Sequence, residues 1–224
     1  MSAPASAPPY ASTYNWHHDV RVNGAIYPLR NRLDDAYNGQ PLSDRLFGFT
    51  PEQSAAKAAV HELGHALVWL DGGLRVTQVA LKRRLDGNDP FYGVVGSGPI
   101  WEGRTTAWAV GAVAGERAVD RWLREEGLWT PSRAAWAELS AQHDRVKVLD
   151  LPLDPKPGFG SLLADYGDLH QLADNALTRV WDRLRATLPA LLTRESIGGQ
   201  ELATMNGFTY PIPPNKRRTK ASKK

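Results

Sequence analysis

The chain has 224 residues, 42% of them hydrophobic, eight tryptophans, no cysteine and a formal net charge of +3. This is enough apolar material for one cored domain with extensions. The lack of cysteine excludes disulfides and thiolate metal ligands, and no apolar run reaches the roughly 18 residues of a membrane-spanning helix. The isoelectric point near 9.2 comes from the C-terminus, where Lys216, Arg217, Arg218, Lys220, Lys223 and Lys224 stand without an acid between them. The rest of the chain is mildly acidic. A short basic end of this kind reads as solvated and disordered, with no specific nucleic-acid partner.

Residues 1–13 are rich in Ala, Ser and Pro and are expected to be disordered. They lack the basic and apolar regions of a secretion signal, which together with the absence of cysteine suits a cytoplasmic protein. Residues 14–50 read as an N-terminal extension. Within it, Asn23-Gly24 between Val20-Arg21-Val22 and Ala25-Ile26-Tyr27 is a hairpin signal. His17-His18-Asp19 offers three ligand types in a row, but adjacent side chains do not readily converge on one ion. We take them as surface or local hydrogen-bonding groups. Residues 31–48 form a polar loop with one helical turn.

The next stretch dominates the sequence. Thr50 as N-cap, Pro51 at the first helical position and Gln53 closing a capping box predict a helix start, and Gly72-Gly73 an end. Ala56, Val60, Leu63, Leu67 and Leu70 keep helical spacing as a core stripe. Off that stripe lie His61 and His65, in the pattern His61-Glu62-Leu63-Gly64-His65. This is the H-E-x-x-H form of a zinc hydrolase helix. Residues i and i+4 share a helix face, so two imidazoles can bind one ion, while Glu62 projects beside it as a general base. Zinc lowers the pKa of its water to about 7. Gly64 costs the helix about 1 kcal/mol relative to Ala, which predicts that another backbone packs against it.

Arg75–Leu81 and Phe91–Gly96 read as two antiparallel strands joined by a charged turn over Lys82–Pro90. Gly93 and Gly96 suit a bulge or a close backbone approach. Residues 103–126 predict a helix with an unusually small face, set by Ala107, Gly111, Ala112, Ala114, Gly115 and Ala118. Thr130-Pro131 opens a third helix to about Leu149, with Trp136, Leu139, His143 and Val146 as its apolar stripe. The Pro- and Gly-rich segment 151–160 is a loop and a candidate rim for a cleft. A long helix follows to Glu195, with Leu169, Leu172, Ala176, Val180, Leu184, Leu188 and Leu191 in step and Pro189 as an expected kink or break. Gly199–Met205 adds a short helix, and the basic tail occupies 206–224. The predicted fold class is α+β, mostly helical, with a small antiparallel sheet beside the HExxH helix.

Ala59-Val60-His61-Glu62-Leu63-Gly64-His65-Ala66-Leu67-Val68 resembles the peptidase helix of the FtsH-type zinc proteases, the M41 family, whose motif reads A-Y-H-E-A-G-H-A-L-V. The resemblance continues in order through Val76–Val79, Ala114–Asp120, Ser140–Asp144 and Leu191–Leu202, so it covers about residues 51–205. It implies a helical zinc-peptidase domain holding Zn²⁺ through His61, His65 and Asp144, with Glu62 catalytic. It also implies a protein or peptide substrate and allows an oligomer. The sequence contains no Gly-Lys dipeptide and hence no Walker A loop, so unfolding of substrates would fall to a separate ATPase or unfoldase. Two other readings keep the same motif: a regulator that cuts one specific partner, and a catalytically silent binding or assembly protein.

One further pair competes for the third ligand position. Glu116-x-x-x-Asp120 looks like the E-x-x-x-D of thermolysin-type enzymes. The 51 residues from His65 to Glu116 are long for that arrangement, so Asp144 is the preferred ligand. Glu116 is left with at most a supporting hydrogen bond to His61 or His65.

Overall fold

Thr50 starts the first long helix through the reciprocal bonds its sequence predicts. Its hydroxyl accepts from the Gln53 backbone N–H at 3.2 Å, and the Gln53 side chain accepts from the Thr50 N–H at 2.9 Å. The computed structural model describes residues 14–22, 25–37, 40–83, 91–101 and 103–212. The helix, α1, spans Pro51–Asp71. Val60, Leu63, Leu67 and Leu70 are all buried along it. A second helix, α2 (Thr105–Glu125), lies against it. The reason for Gly64 is plain in that contact: a Cβ there would stand 2.7 Å from the Ala118 Cβ and 2.8 Å from the Ala114 carbonyl oxygen. The fifth helix in the chain, α5 (Tyr166–Arg194), packs on both and completes a three-helix core. Asp165 caps it with Asp168, and of its predicted stripe only Leu172 is exposed. Pro189 does not break it; the helix runs through to Arg194.

Before α1, a minimal hairpin pairs β1 (Arg21–Val22) with β2 (Ala25–Ile26), as expected. A single 3₁₀ turn covers Asp35–Tyr37. Val20, Leu29, Leu33, Phe47 and Phe49 join the central core, so the N-terminal extension is built into the body rather than laid on it. After α1, β3 (Val76–Arg83) and β4 (Phe91–Ser97) pair antiparallel. The register slips between Val76 and Gln78, and a Cβ on Gly96 would come within 2.1 Å of the Thr77 hydroxyl. Gly96 thus serves a bulge, one of its two expected roles. A third strand, β5 (Ser196–Gly198), extends the sheet to the order β4-β3-β5, and α6 (Gly199–Met205) follows it.

The predicted third helix is two: α3 (Pro131–Ser140) and α4 (Gln142–Leu149), broken at Ala141. The break turns the second piece, so His143 and Val146 of the expected stripe are exposed while Arg145 and Val148 are buried. Phe208 packs on the core, and the Tyr210 hydroxyl donates to the Val76 carbonyl at 2.8 Å. Of the turn expected over Lys82–Pro90, Lys82 and Arg83 instead continue β3; residues 84–90, the Asn23-Gly24 turn, residues 1–13 and residues 213–224 of the tail expected over 206–224 lie outside the described residues. No described helix is long and apolar enough to cross a membrane.

Candidate metal centre

Helical spacing sets His61 and His65 one turn apart on α1, and the small face of α2 leaves them room. A Cβ at Gly115 would sit 2.4 Å from His65 Nε2 and 2.8 Å from His61 Cε1. The His65 ring is fixed on its other side. Its Nδ1–H donates to the Gly111 carbonyl at 2.8 Å, which leaves Nε2 as the ring atom facing the group. The ring also stacks on Trp69 at 5.4 Å and 18°, and Trp69 donates to the Trp108 carbonyl. Gly111 makes that stack possible, since a Cβ there would overlap the Trp69 indole.

Asp144 on α4 closes the group. Its Oδ2 lies 3.3 Å from His61 Nε2 and 3.4 Å from His65 Nε2, and the two Nε2 atoms are 3.0 Å apart. These three residues form a group that could hold a metal ion. Burial resists charge on both Asp144 and His65, but their mutual attraction wins. Asp144, facing both imidazoles, is held far below the usual carboxylate range. His65 is raised to about 9 by Asp144, Glu62 and the Gly111 carbonyl, so taking up a cation there displaces a proton.

Glu62 is buried beside the same group, and burial raises its pKa against the lowering pull of His61 and His65. Gly93 of β4 accommodates it: a Cβ at that position would fall 2.1 Å from Glu62 Cγ and 2.4 Å from Oε1. All four predicted residues, His61, Glu62, His65 and Asp144, line one cleft of about 540 Å³. Residues 91–95 of β4 form one wall; Trp136, Ser140, His143 and Lys147 contribute to the rest. Lys147 Nζ is 3.4 Å from Asp144 Oδ1. The cleft also takes in the buried Lys57–Asp44 pair. Loop 151–160 contributes nothing to it; Phe159 packs edge-on against Trp16 instead.

Glu116 does not support either histidine, contrary to the one role left open for it. It binds Arg145 Nε at 2.9 Å and meets His170 Nε2. Arg30 Nη1 lies 3.0 Å from His170 Nδ1, and a guanidinium can only donate. Nδ1 is therefore unprotonated, and the proton sits on Nε2, facing Glu116. Burial agrees by lowering the His170 pKa. Arg145, Glu138 and His170 had no place in the sequence reading. The one signal for them was the seven-residue spacing of Glu138 and Arg145, two helical turns apart.

The chain matches no known protein-family model and no curated protein sequence.

Proposed function

We propose that this protein is a zinc-dependent metalloendopeptidase of the FtsH type, hydrolysing peptide bonds in unfolded or flexible segments of protein substrates. The observation that carries the reading is Glu62: a buried carboxylate set against a His-His-Asp group inside an open cleft. A purely structural metal site has no use for such a group. The spacing of the three donor atoms also supports zinc. Tetrahedral bonds of about 2.0–2.1 Å put ligand atoms about 3.3 Å apart, close to the triangle the donors make. The donor set of two imidazoles and a carboxylate lining a cleft matches that of catalytic rather than structural zinc.

When bound, zinc supplies a Lewis acid for the scissile carbonyl and lowers the pKa of a water to about 7. Glu62 takes the proton from the attacking water and delivers it to the departing amine nitrogen. Substrate is held by β4, whose second edge is unpaired among the described strands. Its backbone N–H and C=O groups pair with an extended peptide. β3, the other strand considered for this role, is interior between β4 and β5 and has no edge to offer. A peptide must be extended to add as a strand, hence the preference for unfolded chains.

The test is cleavage of an unfolded protein such as casein by the zinc-loaded chain and by Glu62→Gln. The expected result is loss of turnover with zinc stoichiometry intact. Full activity in Glu62→Gln refutes the mechanism, and zinc binding with no turnover on any unfolded protein favours a silent binding protein.

A further inference from the structure

We infer that Arg145 is the positioning residue for the third metal ligand, and that the N-terminal segment around Pro28–Asn31 completes the cage that holds it. This rests on the metal reading above and extends it to residues away from the cleft.

Asp144 sits on a short helix with few buried side chains. α4 has eight residues and no side-chain cap at its start. Only two of its side chains are buried, Arg145 and Val148. Arg145 follows Asp144 directly, so whatever fixes one guanidinium fixes the rotation of the helix and the direction of the neighbouring carboxylate. All three nitrogens of that guanidinium are held. Nε donates to Glu116 Oε2 on α2 at 2.9 Å, Nη2 to Glu138 Oε2 on α3 at 2.8 Å, and Nη1 to the Pro28 carbonyl at 2.7 Å. Trp16, Phe159 and Tyr166 surround its central carbon at 5.5–5.9 Å. The side chain is 1% exposed.

The N-terminal segment contributes twice. Besides the Pro28 carbonyl, it orients Glu138: the Arg30 and Asn31 backbone N–H groups and the Asn31 side chain all donate to that carboxylate, at 2.8, 3.1 and 2.7 Å. A lysine cannot reproduce this fork, because its ammonium is a point charge without the planar, three-way geometry. The aim of Asp144 therefore depends on segments more than 100 residues apart in sequence.

The experiment uses the full chain and measures Zn²⁺ affinity by chelator competition and the visible spectrum of the Co²⁺ form. Arg145→Lys is expected to weaken Zn²⁺ binding by about 10–100-fold, the usual effect of losing a group that orients a ligand, and to reduce the Co²⁺ absorption as the carboxylate leaves. Asn31→Ala keeps every charge and should give a smaller, several-fold weakening in the same direction. It decides the matter if Arg145→Lys does not fold. Thr187→Val is the control. It breaks the buried Thr187–Asn206 bond, whose partners lie on α5 and just after α6, and should lower the melting temperature without changing Zn²⁺ affinity. Wild-type affinity and spectrum in both Arg145→Lys and Asn31→Ala overturn the inference. So does an equal loss of affinity in Thr187→Val, which would mark the effect as general destabilisation. A wild-type chain that binds neither ion overturns the metal reading itself, a failure visible before any variant is made.

Discussion

Gly115→Ala isolates the histidine pair from the rest of the fold. The added Cβ would stand 2.4 Å from His65 Nε2, 2.5 Å from its Cε1 and 2.8 Å from His61 Cε1. Ordinary contacts are about 3.5–4.0 Å, so the overlap is about 1 Å. His65 has no free direction of retreat, being bonded to the Gly111 carbonyl and stacked on Trp69. For the helix alone the change is favourable by about 0.8–1.0 kcal/mol. Overpacking a filled interior costs about 1–3 kcal/mol, so net destabilisation lies between roughly 0 and 2 kcal/mol. In a chain of this size each kcal/mol moves the melting temperature by about 2–4 °C. Zinc affinity should suffer more, because both Nε2 atoms leave their positions; about 10–100-fold is expected, comparable to the loss of an orienting partner. Chelator competition on metal-stripped protein gives the affinity, and thermal unfolding with EDTA gives the fold term. A folded Gly115→Ala protein with wild-type zinc affinity would refute the placement of these rings.

Gly93→Ala tests the proposed base, since the three atoms its Cβ would meet first all belong to the Glu62 side chain. Casein cleavage should be lost with zinc content retained, and normal turnover would count against Glu62 as proton carrier. Acid stability probes the buried network. Burial opposes ionisation of Glu116, but Arg145 and His170 outweigh it and lower its pKa from 4.5 to about 2. A lowered acid binds fewer protons folded than unfolded. Its stabilisation is thus complete above about pH 4.5 and is lost as the pH falls toward about 2. Urea midpoints should fall more steeply over that window for wild type than for Glu116→Gln, and parallel curves would contradict the pairing.

What the sequence made legible was whatever hydrophobic period and end chemistry specify locally. Thr50-Pro51-Glu52-Gln53 encodes its own cap, the apolar stripe of α1 needs no partner to be recognised, and Gly64 signalled a close neighbour because its helix cost demanded a reason. H-E-x-x-H was enough to bring His61, Glu62 and His65 to one cleft through helix geometry alone. The break at Ala141 was not legible, since neither Gly nor Pro marks it. The stripe through His143 and Val146 looked apolar enough, while the residue that sets the real rotation is an arginine. A buried charge is invisible to hydrophobic periodicity; it becomes reasonable only once Glu116, Glu138 and Pro28 are seen around it. β5 was missed for a related reason. Three residues have no period, and Ser196–Gly198 is a strand only because β3 lies alongside.

His61 and Asp144 stand 83 positions apart in the chain. An unfolded chain offers an ion the His61–His65 pair but no closed site. An ion gripped by all three groups therefore favours the folded form by mass action, by about 4 kcal/mol at a thousandfold excess over its Kd. Whole domains are stable by only about 5–15 kcal/mol. Under the zinc reading, the supply of free metal would govern how long the protein survives proteolysis as well as whether it can cut. A metal-starved cell would then carry less of it, not merely an idle stock.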